Sequence, residues 1–313
     1  MPRITTPSRL HLALIDMNAS IGRVDGSLGI TLDDPAIKIE GKKYDIVEIT
    51  GCSEHIDRMV NSVKAVLPDG EGIKISIEED YPSHIGLGSG TQVALAAGMA
   101  VNELYGLGLN VHEIAVKVGR GGTSGIGVAA FDKGGFIVDG GHKFSEKKAF
   151  LPSAASKLPP APVLLRSDFP DWDIVLAIPD QKGASQKNEV NIFQEKCPIP
   201  LREIESLSHV ILMQLLPSLF EKDIVTFGKS INAIQELGFK KREVELQPVS
   251  KDLMHALRDG GAHGSGMSSF GPTVYAFGED MNTLEKIASD FLEGKGKVFR
   301  TRARNTGAII RTL

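Results

Sequence analysis

Hydrophobic and polar positions alternate strictly near the start of the chain. In Arg9-Leu10-His11-Leu12-Ala13-Leu14 the leucines share one face of a strand, and Arg9, His11 and Ala13 share the other. Runs at residues 38–40, 45–50 and 73–78 predict further strands. Ser53 is placed to cap a helix whose apolar stripe is Ile56, Met59, Val60, Val63, Val66 and Leu67. A loop over residues 81–90 leads into an alanine-rich helix from Thr91 to about Leu104, and glycine-dense stretches follow at 119–127 and 134–141. The run LPSAASKLPPAP at residues 151–162 has no periodicity and reads as a linker or domain crossing. Beyond it the pattern predicts a strand at 174–178 and helices near 201–216, 223–237 and 249–258. A Gly/Ser loop at 260–271, a strand at 273–277, a helix near 282–293 and a last strand at 298–304 follow. Strands and helices mix without βαβ alternation, which predicts an α+β fold. With 313 residues, two domains are expected, 1–160 and 161–313.

Composition narrows the function classes. Hydrophobic residues at 42% are enough for a sizeable core, so disorder is excluded. A net charge of −4 gives no global basic field for nucleic acid or an anionic membrane. No apolar run approaches the roughly 18 residues that span a bilayer, and the N-terminal run carries Pro, Arg and His where a signal peptide would be apolar. Cys52 and Cys197 are far apart and lack metal-ligand spacing, so a reducing, cytoplasmic setting is expected. Glycine is the exception: 34 residues exceed the usual share of about 7%.

The glycines point to anion chemistry. In Pro82-Ser83-His84-Ile85-Gly86-Leu87-Gly88-Ser89-Gly90-Thr91, three glycines precede a helix, so backbone N–H groups and the positive helix end are free to face a phosphate. Ser89 and Thr91 offer hydroxyls to phosphate or Mg2+. No Lys-Ser/Thr follows, so this is not a Walker A loop.

The pattern Pro-x-x-x-Gly-Leu-Gly-Ser-x-Thr resembles the central motif of the GHMP kinase superfamily. Thr6-Pro7-Ser8-Arg9-Leu10-His11-Leu12 resembles its first motif, and Gly261-Ala262-His263-Gly264-Ser265-Gly266-Met267-Ser268-Ser269 stands where its C-terminal glycine-rich motif lies. The resemblance implies an N-terminal domain like ribosomal protein S5 domain 2 and a ferredoxin-like C-terminal domain. Superfamily kinases with a catalytic Asp carry it in Pro-Ser-Gly-x-Asp; the matching run here, Thr123-Ser124-Gly125-Ile126-Gly127, has glycine at that place. The strings at 22–29, 119–127, 138–142 and 268–275 resemble a non-kinase branch, the archaeal β-ribofuranosylaminobenzene 5′-phosphate synthases of methanopterin biosynthesis. That resemblance implies condensation of phosphoribosyl pyrophosphate (PRPP) with 4-aminobenzoate or 4-hydroxybenzoate, releasing CO2 and pyrophosphate. The attacking ring carbon bears no proton, so Gly127 is expected for this reaction and awkward for a kinase. An ATP-dependent small-molecule kinase and a non-catalytic ligand-binding protein of the same fold are the alternatives.

The resemblance also assigns roles. Gly86, Gly88, Ser89, Gly90 and Thr91 form the phosphate-binding loop. Arg9, a surface strand residue on its own, and His11, a half-buried one, are placed at the substrate with Asn18, Ser268 and Ser269. Asp16 is a candidate catalytic residue, placed either at the ring's amino or hydroxyl group or, with Ser89, as a ligand of Mg2+, the implied cofactor. Arg23, in a loop with Asp25 and Ser27 that reads as a hairpin turn, is a candidate phosphate contact. Arg120, Thr123 and Ser124 form either a helix-terminating loop or a ligand contact. His142 is either a turn residue or an acid acting on pyrophosphate. Arg300, Arg302 and Arg304 project from one strand face and read as the guard of an exposed edge strand. Small-molecule substrates and a homodimer are implied, with neither nucleic acid nor membrane as partner.

Overall fold

The alternation seen at residues 9–14 belongs to a longer strand. In the computed structural model, which describes residues 1–153, 155–181 and 186–312, β1 spans Pro2–Asp16. Leu10, Leu12 and Leu14 are buried as the pattern requires, yet His11 and Ala13 on the opposite face are buried too. Both faces are covered because helices from the two halves of the chain pack against β1, α2 (Ser89–Tyr105) on the N-terminal side and α10 (Gly238–Glu245) on the C-terminal side.

The N-terminal half continues through β2 (Arg23–Lys43), β3 (Glu48–Thr50), α1 (Ile56–Val66) and β4 (Ile73–Glu79). After α2 come α3 (Val111–Lys117), α4 (Ile126–Asp132), β5 (Phe136–Asp139), β6 (His142–Lys143), α5 (Phe144–Lys147) and β7 (Val163–Ser167). The sheet runs β12-β1-β2-β4-β3, where β12 is Ile309–Thr312, and the N-terminal part of β2 also pairs with β5 and β6. The C-terminal half comprises β8 (Asp173–Pro179), α6 (Gln186–Lys196), α7 (Leu201–Val210), α8 (Leu216–Glu221), α9 (Ile224–Gln235) and α10. It closes with α11 (Pro248–Asp259), β9 (Gly264–Met267), β10 (Val274–Phe277), α12 (Met281–Leu292) and β11 (Gly296–Arg302). Its antiparallel sheet has the order β11-β8-β10-β9. Counted along the chain this is fourth-first-third-second, the arrangement of a ferredoxin-like β-α-β-β-α-β unit.

Several expectations need correction. The domain crossing does not fall at 160/161: β7 still pairs with β5 in the N-terminal sheet, and the second sheet begins at Asp173. Within the expected linker, Ala154 lies outside the described residues. Ser53 caps no helix; its hydroxyl accepts from the His55 N–H (3.0 Å) one turn earlier. Arg23, Asp25 and Ser27 are strand residues of β2, since the β1–β2 turn is made upstream of them. Glycine-rich residues 134–141 enclose β5, whose four residues are all buried. Arg300 pairs with Glu285 and Asp173, and Arg302 with Asp173 and Asp171, on the edge strand β11, as a charge-guarded edge requires, but Arg304 lies beyond β11 and is buried.

The C-terminal sheet and α9 meet backbone to backbone. A Cβ on Gly228 would lie 2.4 Å from the His263 carbonyl carbon, and one on Gly264 2.5 Å from Gly228 Cα. Gly228→Val is therefore expected to cost about 1–3 kcal/mol of stability. The measurement is a urea denaturation midpoint, and an unchanged midpoint would refute this close approach.

Candidate active site

Three glycine- and serine-bearing segments meet at one point. Ser268 Oγ donates to Gly86 O (2.7 Å) and accepts from His11 N–H (3.0 Å). Ser269 N–H donates to His11 O (3.0 Å), and Arg9 Nη1 donates to Gly86 O (2.6 Å). Gly86 is in the left-handed region (φ 87°), and a Cβ there would stand 2.4 Å from Ser268 O. Thus β1, the loop before α2 and the loop after β9 are fixed against one another by main-chain contact.

The junction forms the floor of a cleft of about 190 Å3. Arg9, His11, Gly86, Gly88, Ser89, Gly90, Thr91, Arg120, Thr123, Ser124 and Ser269 all line it. The N-cap of α2 is Gly88 in a left-handed conformation (φ 82°) with no capping side chain. The amides of Ser89 and Gly90 at that end have no acceptor within the helix. Arg58, from α1, lies directly over Gly90: a Cβ there would come within 1.7 Å of its Nη1, with Arg120 Nη2 at 3.4 Å. Neither Arg58 nor Arg120 forms an ion pair with any described residue. Burial and the neighbouring Arg58 push the Arg120 guanidinium down to about 10. Two adjacent, half-buried cations beside an uncapped helix end make an anion-binding arrangement. A neighbouring groove of about 470 Å3 shares both arginines with Ser83 and His84.

Part of the cleft's lining is apolar. Leu14, Phe193 and Phe270 line it, and Phe239 stacks behind, its ring centroid 4.6 Å from that of Phe193. Glu243 also lines the cleft and is the sole acid to do so among the described residues. Gly127 sits at the first turn of α4 beside Thr91, whose Cγ2 would be 3.1 Å from an added Cβ, so this wall carries no base.

Four residues singled out in the sequence lie elsewhere. Asp16 Oδ1 accepts from the N–H groups of Asn18 (2.7 Å) and Ala19 (3.1 Å), closing the turn after β1. Asn18 Nδ2 donates to Ile199 O (2.6 Å). Arg23 donates to the carbonyls of Gly140 and Gly141. His142 is buried with Nδ1 against Asp25 Oδ2 (2.7 Å) and Nε2 against Pro159 O (3.0 Å), leaving no nitrogen for a ligand. Asp16, His142, Asn18 and Arg23 therefore do not line the cleft, and the contacts above tie them into the surrounding turn and strands. Ser268 is buried and acts through the junction. Asp16 does not share the cleft with Ser89, so the two are not brought together as a pair of magnesium ligands. No group of three His, Cys, Asp or Glu among the described residues could hold a metal ion. The described cleft thus holds no cage of several carboxylates for Mg2+; its side-chain oxygens are the hydroxyls of residues such as Ser89 and Thr91 and the carboxylate of Glu243.

Sequence reading missed Arg58, Glu243, Phe193 and Phe270, which come from helices and a loop whose patterns look ordinary. It also missed two buried networks behind the cleft. Lys147 Nζ donates to both Asp25 oxygens (2.7 and 2.6 Å) and to Thr123 Oγ1 (2.8 Å). Asp139 accepts from Ser27 Oγ and from the N–H groups of Gly125 and Gly141 (both 2.9 Å), and Ser27 Oγ meets Ser124 Oγ at 2.7 Å. Thr123 and Ser124 are thereby held from behind while facing the cleft.

The sequence matches the GHMP kinases N terminal domain over residues 52–135 and the GHMP kinases C terminal domain over 215–296. A homoserine kinase from Cytophaga hutchinsonii superimposes with a TM-score of 0.70 over 99% of this chain and 97% of its own, at 16% identity, a likeness of fold alone. The fold is that of the GHMP superfamily. Two archaeal relatives lie much nearer. The β-ribofuranosylphenol 5′-phosphate synthase of Archaeoglobus fulgidus is 49% identical, with 99% of each chain covered. That of Methanocaldococcus jannaschii is 44% identical, covering 97% of this chain and 98% of its own. The chain belongs to the β-ribofuranosylphenol 5′-phosphate synthase family. No helix among the described residues is long and apolar enough to cross a membrane.

Two predictions follow from the charges. Arg120→Leu is expected to weaken binding of inorganic pyrophosphate by about tenfold or more, because a charge-assisted contact is worth roughly 1.5–3 kcal/mol; isothermal titration with unchanged affinity would refute the anion site. Burial raises the Asp139 carboxyl to about 6, above its unfolded value of about 3.9. The folded state therefore binds this proton more tightly, so Asp139 disfavours folding above about pH 6 and ceases to below about pH 4. Wild type should gain stability relative to Asp139→Asn as pH falls through that window, read by thermal melts at several pH values. A constant offset would contradict it.

Proposed function

We propose that the protein joins PRPP to a hydroxybenzoate, forming a ribofuranosylphenol 5′-phosphate and releasing CO2 and pyrophosphate. The observation that carries this reading is the mixed lining of one cleft: cations without an ion-pair partner among the described residues, an open helix end, and aromatic side chains. PRPP supplies the anionic groups, and the aromatic acid supplies a flat apolar ring. The sequence left 4-aminobenzoate and 4-hydroxybenzoate open. The relatives' name carries a phenol, which favours the hydroxy acid as acceptor.

In this reading Arg58, Arg120 and the Gly86–Thr91 segment hold the diphosphate and stabilise the charge it gains as it departs. Arg9, whose guanidinium packs 3.1 Å from where a Gly88 Cβ would be, covers the loop from the side. Magnesium enters as the counter-ion of the diphosphate, a part of the substrate. Departure of diphosphate leaves positive character at the sugar carbon, and the ring carbon bearing the carboxylate attacks it. That carbon has no proton to lose, which suits a wall whose kinase-like position is Gly127. Loss of CO2 restores the aromatic ring. The protein acts as a homodimer in this reading, as the sequence resemblance implies.

The test incubates the full chain with Mg2+, PRPP and carboxyl-labelled 4-hydroxybenzoate or 4-aminobenzoate. Release of labelled CO2 with stoichiometric pyrophosphate is expected, and none from either acid would sink the reading. Gly88→Val, which strains a left-handed residue and crowds Arg9, should raise the dissociation constant for PRPP by about tenfold or more; unchanged affinity in a titration would remove the loop from the site.

A further inference from the structure

Glu243 is an unusual residue to find in this cleft. It stands on α10 three residues after Lys240, and the two form an ion pair whose side chains are almost completely buried. Lys240 Nζ also donates to the carbonyls of Met267 (3.3 Å) and Ser269 (3.0 Å), so the lysine is anchored by the loop after β9. Glu243 is less well provided for. Its Oε2 is within ion-pair reach of Lys240 but accepts no aligned hydrogen bond. Burying such a pair costs several kcal/mol per ion before any return, so packing alone gives it little reason to be here. Nearby, His11 Nδ1 is buried without a hydrogen-bond partner, and it too lines the cleft. Beside them stand Phe193 and Phe270, whose ring centroids are 6.2 Å apart.

We propose that Glu243 takes the proton of the aromatic substrate's ring hydroxyl as the carbon–carbon bond forms and returns it as CO2 leaves. This rests on the synthase reading above. The bond from the sugar carbon to the diphosphate breaks, and its electron pair leaves with the diphosphate. A ring π pair forms the new bond at the carbon bearing the carboxylate. The hydroxyl's O–H pair becomes the carbonyl of a dienone, and its proton passes to Glu243. The ring–carboxylate bond then breaks and its pair restores the aromatic ring. The dienone carbonyl pair returns to oxygen, which recovers the proton from Glu243. No proton is consumed overall and no redox partner is needed.

The surroundings suit a carboxylate that must hold a proton briefly. Burial raises the proton affinity of Glu243, while Lys240 and Arg9 oppose that rise. Burial, Arg9 and Lys240 all keep the His11 imidazole neutral, so its orphaned Nδ1 is free to meet a neutral polar group. An acid on the far side of the ring from the departing carboxylate needs no contact with the phosphates, and α10 supplies one from the other domain.

The experiment compares wild type, Glu243→Gln and Glu243→Leu in the labelled-CO2 assay, with PRPP and aromatic-acid affinities measured by titration. Glutamine can still accept a hydrogen bond but cannot carry the proton. Glu243→Gln is therefore expected to lose about 100-fold or more in kcat while binding PRPP and 4-hydroxybenzoate as wild type does. Glu243→Leu should in addition lose the preference for 4-hydroxybenzoate over benzoate in binding. Turnover by Glu243→Gln within threefold of an active wild type (~0.65 kcal/mol) would overturn the proposal. If Glu243→Gln does not fold because Lys240 is left unpaired, the double variant Lys240→Gln with Glu243→Gln removes both charges. It should show the same loss, and wild-type turnover from it would equally overturn the role. A wild type that releases CO2 from neither acid would instead defeat the synthase reading itself.

Discussion

The Ser268 hydroxyl and the carbonyl of Gly86 hold the molecule's working parts together. One buried oxygen accepts from β1 at His11 and donates to the loop before α2, while its own residue belongs to the C-terminal half. The two main chains also approach closely here, and an added Cβ at Gly86 would displace the contact by clashing with Ser268 O. Small residues are therefore required on both sides. Because protein interiors do not yield readily to such intrusion, the relative placement of the two halves, and with it the cleft between them, depends on this meeting.

Electrostatics work locally here. The chain carries a net charge of −4, yet the cleft gathers Arg9, Arg58 and Arg120 around a single acid, Glu243. Many cations elsewhere are already satisfied: Arg242 by Glu203, Arg300 by Glu285, Lys147 by Asp25. What distinguishes Arg58 and Arg120 is that neither forms an ion pair with a described residue, although Glu54 lies near enough to act on Arg58. The arrangement suits an anion without a basic surface, and water-exposed charges at a distance are screened in any case.

The glycine-rich loop, the alanine-rich helix and the serine segment at 268–269 were legible because each is a local pattern whose physics is local. Glycine frees the backbone, and a helix end presents N–H groups. The individual side chains were harder. His142 looked like a second histidine for acid work, but its ring is held on both sides by oxygens far apart in sequence, Asp25 and Pro159. Asp16 looked like a metal ligand, but its carboxylate closes the turn two and three residues on. Arg58 and Glu243 were passed over because arginine and glutamate on amphipathic helices usually face solvent, and nothing along α1 or α10 signals that they meet in one cleft.

Taken by itself, the sequence determined the α+β class, the three motif segments, the superfamily and the missing base at Gly127. These follow from backbone freedom, periodicity and residue identity, which are properties of neighbours along the chain. The tertiary structure alone decided where the domain crossing falls, which charges are left without partners, and which polar groups are consumed in buried networks. Those outcomes depend on residues far apart along the chain, 257 positions in the case of His11 and Ser268. Burial then sets the worth of each charge and hydrogen bond, and burial exists only once the chain has folded.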